Sequence, residues 1–346
     1  MTESLKGIRA EAVTDWFVAN LDVVEPPLSF RLIPGGHSNL TYRVEDAAGR
    51  RFVLRRPPLG AVLATAHDMG REHKIIAALG PTDVPVPPAL GLCRDESVND
   101  APFYVMTFVD GPVLAGADEV RKNFDEAQRR EIGLDLVDVL ARLHAVDPDA
   151  VGLGDLGRKE AYVARQLRRW HKQWESSKTR ELAAMDEVHQ ALQSNIPEQI
   201  GATVVHGDYR LGNTITNADA RIVAVLDWEL CTLGDPLADV GYMINHWLTP
   251  GEVGPTSRGA TSSPSLASGF PARGELLERY SAATGRDVTN IHYYCAFQFW
   301  RSAAIVEGVL ARYLKGVMGG EADTDAFRKQ VDGLAEAALR LVHEGG

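Results

Sequence analysis

The chain has 346 residues, 45% hydrophobic and 24% charged, a balance that supports a large buried core and excludes a disordered or fibrous chain. Lysines and arginines total 36 against 47 acidic residues, a net charge of −11, the wrong sign for a broad grip on a polyphosphate backbone, which argues against nucleic acid as a partner. The opening residues lack a long apolar core after a basic start, and no stretch nears about 18 uninterrupted apolar residues, so the sequence reads as cytoplasmic, neither exported nor membrane-spanning.

The first hundred residues carry short strand-type runs separated by Gly, Pro and Asp: Leu28 to Ile33, Thr41 to Val44, Arg51 to Arg55, Pro88 to Leu92 and Phe103 to Phe108. One helix interrupts them, Thr65 to Leu79, closed by Gly80-Pro81. After Val109-Asp110-Gly111-Pro112 the pattern becomes helical: Phe124 to Val146, Lys159 to Glu175, Thr179 to Leu192, Glu275 to Thr284, Ile291 to Tyr313 and Thr324 to His343. A β-rich island lies among these helices, at Thr203 to Val205, Thr214 to Thr216 and Ile222 to Leu226, the last two joined as in a hairpin across Asn217 to Ala220. The Gly-, Pro-, Ser- and Thr-rich stretch Pro250 to Gly269 reads as a mobile loop or substrate-facing lid. Cys93, Cys231 and Cys295 are widely spaced, which gives no support to a disulfide framework or a thiolate zinc site.

Chemistry concentrates on the island. His206-Gly207-Asp208-Tyr209-Arg210-Leu211-Gly212-Asn213 follows one strand, and Asp227-Trp228-Glu229 follows another. An Asp, an Asn five residues on and a second Asp after a strand is the arrangement that phosphoryl transfer from ATP requires. Asp208 would orient and deprotonate a hydroxyl, while Asn213 and Asp227 offer the oxygen ligands that hard Mg²⁺ prefers. Upstream, Gly35-Gly36-His37-Ser38-Asn39 is a small-residue turn whose amides could approach phosphates, Arg55 on the next strand would reach them, and Glu72 on the following helix is placed to pair with Arg55. Met106 to Gly111 reads as the crossing between two lobes, with Met106 and Phe108 beside the nucleotide.

These residues together resemble the aminoglycoside phosphotransferase-like (phosphotransferase enzyme) family of the protein-kinase-like fold, over roughly residues 28 to 315. The resemblance is closest to the branch whose members occur alone or fused to an acyl-CoA dehydrogenase, on GGHSNLTYRV, FVLRRPP and LDWELCTLGDPLADVGY. It implies a two-lobed α+β fold, a β-rich nucleotide lobe over residues 1–108 and a mainly helical catalytic lobe over 109–346, with ATP between them. It also implies Asp208 as base, Asn213 and Asp227 as Mg²⁺ ligands, a phosphate contact at Arg55 braced by Glu72, nucleotide contacts at Gly36, His37, Ser38, Asn39, Met106 and Phe108, and a supporting role for Asp239.

Two departures qualify the resemblance. Arg55 stands where most kinases have Lys, and its broader, bidentate head would seat a nucleotide differently. Gly207 stands where protein kinases carry Arg between the His and the Asp, which favours a small-molecule hydroxyl over a protein acceptor. A hydroxyacyl-CoA-like or an aminoglycoside-like acceptor fits, and nothing in the sequence sets an oligomeric state. A nucleotide-binding pseudokinase without turnover is the alternative, motivated by Arg55. Gly152-Leu153-Gly154-Asp155-Leu156-Gly157 matches a dinucleotide fingerprint but follows a helix rather than a strand, so it is set aside. Arg165, Arg168, Arg169 and Lys172 make a basic stripe beside Trp170 and Trp174, either a solvated face with aromatics turned inward or a landing site for an anionic acceptor.

Overall fold

The structure is a computed structural model that describes residues 6–34, 39–59, 68–255, 263–316 and 323–344. The chain divides into two compact units, residues 1–111 with 223–229, and residues 112–222 with 230–346. The short run Val223–Glu229 therefore joins the N-terminal unit although it follows much of the second in sequence.

The first unit is built on a five-stranded antiparallel sheet of β1 (Ser29–Leu32), β2 (Leu40–Glu45), β3 (Arg51–Arg56), β4 (Ala89–Cys93) and β5 (Phe103–Thr107), in the order β1-β2-β3-β5-β4. Alternation divides β3 and β5 between two faces. Phe52, Leu54, Phe103 and Val105 pack with Tyr42 and Val44 against Val13 and Phe17 of helix α1 (Ala10–Asn20), which the sequence reading passed over. The opposite face carries Arg55 opposite Tyr104 and Val53 opposite Met106. Helix α2 (Met69–Leu79) supplies Glu72 to this unit and is capped by Asp68, whose carboxylate accepts from Arg71 N at 3.0 Å; the expected start at Thr65 lies outside the described residues. A one-turn helix α3 (Glu96–Asn99) links β4 to β5.

The second unit is mainly helical: α4 (Ala117–Asn123), α5 (Glu126–Ala145), α6 (Tyr162–Ser177), α7 (Ala183–Ser194), α8 (Leu237–Asn245), α9 (Arg273–Thr284), α10 (Ile291–Leu314) and α11 (Thr324–Glu344). A capping box between Asp125 and Gln128 fixes the start of α5. The 24-residue α10 packs against α6, α7, α8 and α11, with Tyr294, Phe297 and Trp300 fully buried; full burial of a side chain such as Phe297 contributes about 2–3 kcal/mol. Its approach to α8 depends on Gly241, where a Cβ would stand 2.8 Å from the Tyr294 carbonyl carbon. The island comprises β6 (Thr203–Val205), paired antiparallel with β9 (Thr232–Gly234), and β7 (Thr214–Thr216), linked to β8 (Ile222–Val225) by a turn in which Asn217 N donates to Arg221 O at 2.9 Å. No described helix is long and apolar enough to cross a membrane.

The expected mobile stretch after Pro250 is only partly within the described residues, because 256–262 lie outside them. Its remainder differs from the expectation: Ser263 to Ala267 are buried, and Ser263 and Ser265 donate to the carbonyls of His246 and Leu248, each at 2.8 Å. Small polar residues here satisfy backbone groups at the end of α8 rather than face solvent. On α6, Arg168, Arg169 and Lys172 are exposed and Trp170 and Trp174 buried, as a solvated face requires, whereas Arg165 of the same stripe is half-buried.

Candidate active site

In the second unit, the loop after β6 is held from beneath by Asp239 of α8. Its carboxylate is fully buried and accepts from His206 N at 2.6 Å and Gly207 N at 2.8 Å. His144 of α5 completes the support, with Nε2 at 3.3 Å from Asp239 and Nδ1 at 2.7 Å from the Tyr280 hydroxyl of α9. Burial lowers the His144 pKa despite the attraction of Asp239, so the imidazole is neutral, Nε2–H donating to Asp239 and Nδ1 accepting from Tyr280. His206 braces the same loop by accepting Asp208 N at 3.2 Å.

Gly207 has φ +85°, and a Cβ there would meet Leu230 O at 2.8 Å. A larger residue, including the Arg of protein kinases, is excluded by backbone conformation and space together. Arg301 of α10 donates from Nη1 to the Gly207 carbonyl at 3.0 Å.

Asp208 emerges from this support. Its Oδ2 accepts from Asn213 Nδ2 at 2.7 Å, and the same nitrogen donates to Asp208 O at 2.8 Å, which leaves Asn213 Oδ1 outside both bonds. Asp208 Oδ1 is 3.5 Å from Arg210 Nε and accepts no well-formed hydrogen bond. Burial acts to raise the Asp208 pKa, but Arg210, the nearby Tyr242 hydroxyl, His246 and His206 outweigh it and hold the carboxyl below its ordinary value. His246 is itself pushed down to about 4, chiefly by burial, and its Nδ1 lies 2.9 Å from Tyr242 O; the ring is neutral at physiological pH.

In the first unit, Arg55 Nε lies 3.0 Å from Glu72 Oε2, and Arg55 Nη2 donates to Asp227 Oδ1 at 2.7 Å. Asn39 Nδ2 donates to Glu72 Oε1 at 3.1 Å and the Tyr104 hydroxyl to Oε2 at 3.0 Å. Burial pushes the Glu72 pKa up against the pull of Arg55, Tyr104 and Asn39. Burial acts against charge on Arg55 too, but Glu72, Tyr104, Asp227 and Glu229 keep it protonated. Asp227 has φ +67°, a left-handed conformation that Asp tolerates better than most residues and that marks stored local strain.

The structure thus gathers Asn39, Arg55, Glu72 and Asp227 in one unit, and Asp208 and Asn213 in the other. Gly36, His37 and Ser38 lie outside the described residues. Met106 is nearly buried within the sheet. Phe108 is set apart: its amide donates to Arg51 O at 3.2 Å and its ring lies beneath the Arg43 and Arg51 guanidiniums. It borders a cleft of about 540 Å³ that also includes Leu21, Val23, Arg51 and Phe52.

The amide oxygen of Asn213 and the carboxylate of Asp227 are hard donors of the kind Mg²⁺ takes. Among the described residues no three His, Cys, Asp or Glu side chains gather into a metal cage; Mg²⁺ commonly needs only one or two protein carboxylates because water and phosphate oxygens complete its shell. Sequence reasoning missed Arg301, Tyr242 and His246. The signal for Arg301 was present, a lone cation inside the apolar run Cys295 to Val306.

The profile of the phosphotransferase enzyme family matches residues 29–287. Acyl-CoA dehydrogenase family member 10 of Mus musculus is 36% identical over 322 residues, a match that takes in 92% of this chain and 30% of that protein. The chain therefore spans about a third of the length of that relative. A candidate aminoglycoside phosphotransferase from Ralstonia eutropha JMP134 has a solved structure that superposes with a TM-score of 0.82 at 34% identity, covering 96% of this chain and 98% of the other. The aminoglycoside phosphotransferase APH(4)-Ia, solved as a ternary complex with AMP-PNP and hygromycin B, shares the fold with a TM-score of 0.61 at 16% identity, covering 95% of this chain and 98% of that one. By the extent of these matches, the chain belongs to the phosphotransferase enzyme family and has its kinase-like fold, a β-sheet N-terminal region followed by a helical C-terminal region.

Proposed function

We propose that this chain is an ATP- and Mg²⁺-dependent kinase that transfers the γ-phosphoryl group to a hydroxyl of a small molecule, with a hydroxyacyl-CoA-like acceptor favoured over an aminoglycoside. The carrying observation is the Asp208 loop: a carboxylate held charged, one oxygen fixed by Asn213 and the other left for a hydroxyl. AMP-PNP in the APH(4)-Ia complex supports ATP as donor. The acyl preference draws on the relative named for acyl-CoA dehydrogenase and on Arg210, a cation beside the base that disfavours a polycationic acceptor.

In this reading Asp208 orients the hydroxyl and takes its proton as the bond to phosphorus forms. Arg55, positioned by Glu72, offsets charge on the phosphates, and Asn39 with Gly36, His37 and Ser38 covers them. Met106 would border the base of the nucleotide, while Phe108 stays with the separate cleft beside Arg51. Asn213 and Asp227 would hold Mg²⁺, which when bound neutralises charge on the transferring group. None of the three cysteines is in a disulfide, in keeping with work in the cytoplasm.

The pseudokinase alternative has one observation in its favour, the bond from Arg55 to Asp227 that occupies a metal-ligand carboxylate. Mass spectrometry of reactions containing ATP, Mg²⁺ and a panel of hydroxyacyl-CoAs and aminoglycosides separates the readings. We expect phosphorylated acyl esters, and a fall of about 10²- to 10⁴-fold on Asp208→Ala with nucleotide binding retained. Product from aminoglycosides alone would overturn the acyl preference. Nucleotide binding with no product from either class would favour the pseudokinase.

A further inference from the structure

Arg301 sits in the middle of α10 with only 5% of its surface exposed. Among the described residues it has no carboxylate partner. Its Nη1 serves the Gly207 carbonyl at 3.0 Å and Gln298 Oε1 at 2.9 Å, its Nε is buried without a hydrogen bond, and Nη2 takes part in neither contact. The guanidinium carbon lies 5.3 Å from the Trp170 ring centre and 5.9 Å from that of Tyr242. Aromatic faces hold a cation in place but do not neutralise it, and a buried charge without a counter-ion is costly to keep. A residue with unused donors at such a place fits a protein whose ligand completes the arrangement.

The location says which part of a ligand this is. The carbonyl that Arg301 holds belongs to the residue before Asp208. The Tyr242 ring it faces carries the hydroxyl that acts on the Asp208 carboxyl. Arg301 and Asp208 therefore flank one tyrosine, a separation suited to two functional groups on one short carbon chain. A guanidinium fork matches planar sp² oxygen.

We propose that Arg301, between Trp170 and Tyr242, binds the acyl oxygen of the acceptor whose hydroxyl Asp208 orients, either the carboxylate of a hydroxy acid or the carbonyl oxygen of its thioester. This rests on the kinase reading and adds the group that selects the acceptor. Gly207 and Gln298 account for one nitrogen of Arg301; the acyl oxygen accounts for the rest.

The test uses the full chain with ATP, Mg²⁺ and three acceptors of one carbon skeleton: a hydroxy acid, its pantetheine thioester and the corresponding diol. The readout is kcat/KM for each acyl acceptor divided by that for the diol. Arg301→Gln is expected to lower the ratio by about 10- to 100-fold, mainly through acceptor KM. Arg301→Lys, which keeps the charge and loses the fork, should recover part of it. The acceptor with the larger loss identifies carboxylate or thioester as the natural group. An Arg301 that only braces the loop would lower kcat for all three equally and leave the ratio unchanged, which overturns the proposal. If the Gln variant does not fold, the Lys variant carries the test, with a several-fold drop expected and an unchanged ratio again decisive against it. Calorimetric titration of the hydroxy acid and the thioester without nucleotide separates this inference from the kinase reading. Binding lost in the Arg301 variant upholds the site even where no phosphoryl transfer occurs, and equal binding in both proteins overturns it.

Discussion

The loop that carries Asp208 is held by groups that no nucleotide would touch: the buried Asp239, a neutral His144, Tyr280 behind it and Arg301 on the Gly207 carbonyl. The cluster around Arg55 is held by the very groups that phosphates and metal would need, with Arg55 shared between Glu72 and Asp227. One site is shaped before any ligand arrives, because its supports are backbone amides and buried polar side chains with fixed roles. The other satisfies its charges internally, so in the proposed kinase a nucleotide with its metal would have to exchange partners there, Asp227 leaving Arg55. A catalytic group benefits from the first kind of construction and a binding group from the second, since an exchangeable ion pair costs less to open than a buried backbone support.

The comparison breaks most visibly at Asp239. Asp239→Ala strands two buried amides and the His144 ring, and we expect a loss of about 3 kcal/mol in denaturant-melt stability together with a fall in kcat of at least about 10²-fold. Nucleotide affinity, which the proposed function assigns to the Arg55 cluster, should change little. Equal losses in both would remove the distinction between the two sites.

The second test is pH. His246 is held down to about 4 in the folded chain, so between about 6.5 and about 4 the unfolded state binds the proton and the folded state does not. Stability therefore falls as pH drops through that window, by about 2 kcal/mol between pH 7 and pH 5, and levels off below it. Thermal melts across this range check the sign, and His246→Gln should flatten the curve. Asp208 adds a loss only at lower pH, one that begins as the pH falls below the ordinary carboxyl range and is complete once it passes the depressed folded-state value.

The smallest effect belongs to Arg55→Lys. A single ammonium cannot span Glu72 and Asp227 as the guanidinium does. Freed from Arg55, Asp227 should need several-fold less Mg²⁺ for half-maximal activity, with stability altered by no more than about 1 kcal/mol. A higher Mg²⁺ requirement would show that the ion pair assists the site rather than competes with it.

The sheet of the first unit was legible because alternation marks β2, β3 and β5 directly, with Tyr42, Val44, Phe52 and Leu54 inward on one face. The pairing of Arg55 with Glu72 was legible for the same reason, since a cation on that strand and an acid on the next helix have a short path to each other. The third member, Asp227, lies 172 residues from Arg55, and no local pattern announces a bond of that range. Helix α1 was missed although Val13, Trp16 and Phe17 repeat at helical spacing. Helix α8 is absent from the expected helices, because residues Leu237 to Gly241 are all buried and leave no polar face to set a period. Around Ser263 and Ser265, composition misled, because Ser and Thr suit a buried carbonyl acceptor as readily as solvent. Arg301 lay unremarked within the expected helix Ile291 to Tyr313, most of whose neighbouring side chains are buried packing.

The membership of Val223–Glu229 in the first unit has a consequence for how the protein is made. A nascent chain leaving the ribosome holds the five-stranded sheet once Thr107 is made, yet lacks Asp227 until about 120 further residues have been synthesised. At roughly 5–20 residues per second, the N-terminal unit waits several seconds or longer for its last segment, with Arg55 and Glu72 present and their third partner still to come. Shortened versions that stop near residue 111 would preserve that waiting state, so cutting the gene at the apparent boundary yields an unfinished unit rather than a minimal domain.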